Sequence, residues 1–259
     1  MKNDEFGNRM KKYEAVSKSA LMTRTPVIIR LDGCHFHTFC KGFKKPFDPI
    51  LVKTMQDTMK YLCENIQGCV LGYTQSDEIT LVLVDYKNLN SSAWFDNEVQ
   101  KVVSVSASLA TLAFNKFYTI NIAEMTESEE EFKFYAGKLN TAYFDSRAFN
   151  IPREEVANCV LWRQLDAERN SILAVGQANF SHKEMQNKNC KTVMNMLEEK
   201  GIVWGNLPTT LKRGSCCVKV YVDDIETCTT RAKWTIDNEI PRFINEGREY
   251  IEALINVED

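Results

Sequence analysis

No Cys-x-x-Cys pair occurs among the nine cysteines (34, 40, 63, 69, 159, 190, 216, 217 and 228), and histidine occurs only three times. A zinc site is therefore not expected, because His35 and His37 have no further His or Cys at ligand spacing. The opening residues, Met1-Lys2-Asn3-Asp4-Glu5, carry no apolar core of a signal peptide, and no run approaches transmembrane length. With an odd cysteine count, these absences lead us to expect reduced thiols in a cytoplasmic protein without membrane contact. Positive charge is also short. The net charge is −3, so no global basic field recruits nucleic acid, and any polyanion must meet a local patch. Neither an internal repeat nor a low-complexity linker marks a boundary, and the 259 residues suit one large domain or two small ones.

What is present is an ordinary globular composition, 44% apolar and 26% charged, with one stretch of unusual density. From Glu78 to Val84 apolar or β-branched residues occur at both parities, the pattern of a strand covered on both faces. Cys69 to Tyr73 reads as a partner strand, joined to it by turn-forming Thr74-Gln75-Ser76-Asp77. Such a hairpin holds Asp77 and Glu78 on a rigid tip, where two adjacent carboxylates repel and need metal, another cation or water.

A second acid ends a second strand. Val27 to Leu31 is apolar and runs into Asp32-Gly33, where glycine lets a ligand approach the main chain. The loop from Cys34 to Asp48 holds two histidines, four phenylalanines and three lysines. Two readings stay open there. Rings beside ammonium groups suit a base with a triphosphate; alternatively the rings plug the core and the lysines are solvated.

The remaining pattern frames these segments. Residues 5–22 read as a helix with Met10, Tyr13 and Val16 on one face. Asp48-Pro49 starts a helix carrying Leu51, Met55, Met59, Leu62 and Ile66 as a core stripe. Another spans about 97–117, with Val102, Ser106, Leu109, Ala113 and Phe117 on one face and Lys101 away from it. An acidic connector or short helix over 121–138 leads to a returning strand at 142–145. The order is β-α-β-β-α-β, a ferredoxin-like, palm-like α+β core. A helix then starts at Pro152 and runs toward Arg163-Gln164, followed by polar Leu165 to Ile172. Further on we expect a capping box at Ser181-His182-Lys183-Glu184, a helix over 190–200 ended by Gly201, and a strand from Ser215 to Val222 opened by Leu211-Lys212-Arg213-Gly214. Cys216 and Cys217 should face opposite sides of that strand. An amphipathic helix over 241–255 is assigned to subunit contacts. We divide the chain into a catalytic core, 1–145, and a C-terminal region packed on it, 146–259.

In a ferredoxin-like sheet, Asp32 and Asp77 can be neighbours on adjacent strands. Two such carboxylates can hold two Mg²⁺ ions that bridge triphosphate oxygens, the arrangement nucleotidyl transfer needs.

Five segments, Phe6 to Glu14, Arg30 to Gly33, Phe36 to Phe39, Lys45 to Asp48 and Tyr73 to Glu78, resemble the tRNA-His guanylyltransferase family. Lys101 with Ser106-Ala107-Ser108, and Trp162 to Ala167, continue a match that covers roughly residues 5–220. The resemblance implies a palm-like enzyme adding nucleotides to the 5′ end of tRNA in the 3′–5′ direction, with ATP, GTP and other NTPs as substrates. It implies Asp32, the Gly33 carbonyl and Asp77 as ligands of two Mg²⁺ ions, with Glu78 as an adjacent catalytic acid. Asp32, Gly33, Cys34, His35, Phe36, His37, Ser76 and Asp77 would line the nucleotide, and Lys45 and Lys101 would meet its triphosphate. Contacts to tRNA are assigned to Arg163, Arg169, Asn170, Lys212 and Arg213, and the assembly to a homotetramer. Two departures matter. Cys34 replaces a basic or polar residue, and Glu168-Arg169-Asn170-Ser171-Ile172 stands where eukaryotic enzymes carry His-Ile-Asn-Asn-Leu-Tyr-Asn. This resembles the guanylyltransferase-like branch of bacteria, archaea and viruses, which implies template-dependent 5′-end repair. The alternatives are a nucleotidyl cyclase, which would make a cyclic product without RNA, and a non-catalytic RNA-binding module, which would not need both aspartates.

Overall fold

The computed structural model describes residues 4–224 and 229–256; Cys228 lies outside them. In chain order the elements are α1 (Glu5–Ala15), β1 (Val27–Gly33), α2 (Phe36–Phe39), α3 (Pro49–Asn65), β2 (Cys69–Gln75), β3 (Glu78–Leu83), α4 (Val99–Met125), α5 (Glu129–Ala136) and β4 (Phe144–Asn150). They continue with α6 (Val156–Asn179), α7 (His182–Met185), α8 (Cys190–Glu199), α9 (Thr209–Arg213), β5 (Ser215–Asp224), β6 (Thr229–Asp237) and α10 (Glu249–Ile255).

One antiparallel sheet organises the chain, in the order β4-β1-β3-β2-β5-β6. Its first four strands have the ferredoxin-like order, and the β5–β6 hairpin extends the β2 side. The boundary at residue 145 falls inside β4. Strand alternation sends Val27, Ile29 and Leu31 into a core beneath α3 and α4, while Ile28 and Val82 meet Val156 and Val160 of α6 on the other face. β3 is buried throughout, as expected of a strand covered twice. Cys217 joins the first core and Cys216 the second, on opposite faces. The eight described cysteines are free thiols, and among the described residues no helix is long and apolar enough to cross a membrane.

Several expected boundaries move. α1 stops at Ala15, because Ser19 and Leu21 pair through their backbones with Val99 and Asn97 and draw the chain out of the helix. Its apolar face covers nothing: Phe6, Met10, Tyr13 and Val16 are all exposed. α4 runs on to Met125, with Asn121 and Ile122 buried, so the acidic connector is shorter than expected. α6 continues through Leu165–Ile172. Its buried stripe is part polar, which hides the helical period: Gln164 bonds Pro241 O and Phe243 N, and Ser171 donates to Leu211 O. Lys212 and Arg213 belong to α9 and not to a strand, and β6 was not expected, its inward side chains being chiefly Trp234 and Ile236. The last helix is shorter than the predicted 241–255 and buries Ile251 and Ile255 in the chain's own core.

Candidate active site

Strand register builds the site. Asp145, Asp32 and Glu78 lie side by side across β4, β1 and β3, and one pleat back Arg147, Arg30 and Thr80 form a second row on the same face. The β2–β3 turn brings Asp77 alongside, its carbonyl accepting from Gly33 N at 3.0 Å. Ser76 holds the turn with φ 50°, a left-handed conformation that costs a non-glycine residue roughly 1 kcal/mol or more, and its hydroxyl donates to Asp77 Oδ1 at 2.8 Å. Gly33 is required by packing and not by its backbone angles. A Cβ there would sit 2.4 Å from the Phe36 ring.

The electrostatics follow from this crowding. Burial, reinforced by the Asp77 and Asp145 carboxylates, pushes Asp32 above its ordinary value, with Arg147 and Arg30 pulling the other way. Burial likewise pushes Glu78 up, although Arg163 Nε donates to its Oε1 at 2.6 Å. Cys34 Sγ lies 3.8 Å from Asp145 Oδ2, and burial and that carboxylate keep it a thiol.

No group of three or more His, Cys, Asp or Glu side chains that could hold a metal exists among the described residues. Asp32 and Asp77 nonetheless fit Mg²⁺. They are hard oxygen donors in surplus negative charge, and Mg²⁺ typically takes one or two carboxylates, keeps several waters and completes its shell with substrate phosphates. Zn²⁺ is not matched by this donor set.

Beside the turn, a cavity of about 270 Å³ opens between α6, α9 and the loop before α3. Lys45, Ser76, Asn170 and Lys212 line it, so residues expected to contact nucleotide and those expected to contact tRNA share one space. Burial pushes the Cys40 thiol in its wall up to about 12. The loop's two open readings divide between residues. Phe36, Phe39 and Phe43 are core, with Phe36 packed on Phe39, Phe114 and Phe144, so the Phe36 ring does not line a nucleotide and only its main chain could. Lys44 is paired with Glu131 at 2.6 Å, whereas Lys45 has no ion pair among the described residues.

Other expected residues stand differently. Lys101 lies at the start of α4 on the opposite face from Asp32, near the beginning of β1, with its ammonium over Phe95; the structure does not bring it to the site. Arg163 is buried between Glu78 and Asp166, so it is not a surface for tRNA, and its partner Glu78 is committed to it. Arg169 is exposed but bonded to Asp166 at 2.6 Å, Lys212 donates to Gly205 O, and Arg213 sits 3.7 Å from Glu168. Each of these four cations is engaged by a neighbouring group, and Asn170 lines the cavity. His35 and His37 are exposed, His35 with φ 57° and its ring 6.2 Å from Tyr143. The sequence reading missed Arg30, Asp145 and Arg147 as members of the site. Their signal was there: Arg30-x-Asp32 and Asp145-x-Arg147 repeat at the two-residue period that puts both members on one strand face.

A family model described as "Thg1: tRNAHis guanylyltransferase" matches residues 7–152. An uncharacterized protein of Acanthamoeba polyphaga mimivirus, R259, is 30% identical over 229 residues, covering 82% of this chain and 76% of the viral protein. The solved structure "Bacterial tRNA(HIS) Guanylyltransferase (Thg1)-Like Protein in complex with ATP" is 41% identical with a TM-score of 0.84, covering 98% of this chain and 100% of that one. Its counterpart "in complex with GTP" is 40% identical with a TM-score of 0.76 over the same shares, 98% and 100%.

Proposed function

The chain belongs to the tRNA(His) guanylyltransferase family of nucleotidyltransferases, and on that premise we propose that it repairs tRNA 5′ ends by template-dependent 3′–5′ nucleotide addition. The observation that carries the reading is the pairing of β1 with β3, which sets Asp32 beside the Asp77 turn, next to a cavity lined by Lys45 and Ser76.

In this reaction a 5′-monophosphate end is first activated with ATP, releasing pyrophosphate and leaving an adenylylated end. The 3′-hydroxyl of an incoming NTP then attacks that phosphorus and AMP departs. A 5′-triphosphorylated end is attacked directly at its α-phosphorus, and pyrophosphate departs. Asp32, Asp77 and the Gly33 carbonyl would hold two Mg²⁺ ions. When bound, Mg²⁺ offsets charge on the phosphate oxygens and makes a hydroxyl a better nucleophile. The Lys45 ammonium, without an ion pair among the described residues, meets the phosphate tail, and the Ser76 hydroxyl fixes the Asp77 carboxylate in one orientation. His35 and Cys34 border the incoming nucleotide. Templating fits the departure at Arg169-Asn170-Ser171: a correct base pair is favoured by geometry and stacking without protein contacts to base edges.

We propose that the chain assembles as a homotetramer, for which the uncovered apolar face of α1 offers a contact surface, and that it works in the cytoplasm. Sedimentation at the mass of one chain would remove the homotetramer.

The deciding experiment offers tRNA-His and a non-His tRNA, each with a 5′-monophosphate and lacking its first 5′ nucleotide, with ATP and all four NTPs under single-turnover conditions. Both should be restored with the nucleotide complementary to the opposing base. Extension of tRNA-His alone, or guanosine added whatever the opposing base, replaces repair with a dedicated guanylyltransferase.

A further inference from the structure

The chemistry above leaves one side chain unused. Trp162 stands on α6 beside buried Arg163, yet it is 54% exposed, whereas Trp94 and Trp234 are core residues. One exposed aromatic is ordinary on a protein surface. Two guanidinium groups neighbour this one: Arg163 Cζ lies 4.5 Å from a ring centroid and Arg30 Cζ 5.4 Å. Arg163 is itself fixed by Glu78 and Asp166, so the indole rests on an immobile support. Arg30 lies two residues from Asp32 on the same strand face, about 7 Å away along the strand, and Arg147 is its direct neighbour on β4. Aromatic surface, a pair of arginines and the carboxylate row therefore follow one another on one face of the sheet.

Resting on the proposed reaction, we propose that Trp162 is the stacking platform for the terminal base at the RNA 5′ end, with Arg30 and Arg147 meeting the adjoining phosphates. A helical end presents a base face of any sequence, and stacking on an aromatic ring is tolerant of which base that is. A polymerase that copies a template needs such tolerance at the terminal pair, because contacts to base edges would restrict it to one sequence. The stack sets how far the 5′ phosphate reaches toward Asp32 and Asp77. Charge argues for this occupant over a second copy of the chain. The ring is bordered by guanidinium and carboxylate groups, and Leu165 is the one exposed aliphatic neighbour within a turn of α6 among the described residues, too little apolar area for a subunit interface.

The test uses the full chain and Trp162→Phe, Trp162→Leu and Trp162→Ala, with a 5′-monophosphorylated RNA hairpin whose stem lacks its first 5′ nucleotide. RNA should quench wild-type tryptophan emission, and most of that quench should vanish in Trp162→Phe. RNA affinity by anisotropy should fall about tenfold to hundredfold in the Leu and Ala variants and within about threefold in Phe. ATP and GTP affinities measured without RNA should stay within about twofold in all three. The Leu variant keeps apolar bulk, so a loss shared by Leu and Ala but spared in Phe reports stacking and not folding. RNA binding by Trp162→Leu equal to wild type overturns the platform, as does an Ala variant altered only in sedimented mass, which would make Trp162 a subunit contact. A wild-type chain that binds RNA through Trp162 but transfers no nucleotide sinks the proposed reaction and leaves the platform standing.

Discussion

Arg163 Nε donates to Glu78 Oε1 at 2.6 Å inside the protein, where the two side chains are only 10% and 11% exposed. The pair ties α6 to the strand that ends in the Asp77 turn, and it explains why Glu78, adjacent to Asp77 in sequence, does not share its exposure. Removing one partner leaves the other charge buried and unpaired. Arg163→Ala should cost about 3–5 kcal/mol in urea denaturation, and adding Glu78→Gln should recover part of that loss. An unchanged denaturation midpoint in the single variant would show the pair to be dispensable.

Asp32 and Asp77 should behave in the opposite way. Each sits among like charges, so Asp32→Ala or Asp77→Ala should leave the melting temperature equal or higher while abolishing both activation and nucleotide addition. Turnover near wild type by either variant in Mg²⁺ removes it from the catalytic pair.

Neighbouring lysines separate cleanly. Both line the cavity, but only Lys44 carries an ion pair among the described residues, and Lys45→Ala should cost about 2–4 kcal/mol of transition-state stabilisation if its ammonium meets phosphate away from water. Lys44, committed to Glu131, should tolerate alanine with kcat/KM nearly unchanged. A loss under about threefold for Lys45→Ala returns that residue to an ordinary solvated lysine.

The same ion pair predicts a pH response. The Lys44 ammonium, together with the Glu127 amide, holds the Glu131 carboxyl below its ordinary 4.5. Its folded value lies below its unfolded one, so this contribution is present above the unfolded value and is lost as pH falls through the folded one. Stability curves of wild type and Glu131→Gln should separate near neutrality and converge in acid. A constant gap down to pH 3 would assign the effect to packing.

By itself the sequence determined the parts: the doubly buried β3, the Asp48-Pro49 start of α3, the Ser181–Glu184 capping box and the two aspartates at strand ends. Each follows from local periodicity or backbone chemistry that needs no distant partner. Tertiary structure decided what meets what. The carboxylate and arginine rows exist only once β4 pairs with β1, a register set by packing between residues over a hundred positions apart. α6 could not be followed past Gln164 because its buried stripe is satisfied by Pro241, Phe243 and Leu211, partners invisible to a helical pattern. Lys101 was drawn into the site by its motif and removed from it by the sheet, which has two faces and sends α4 to the other one.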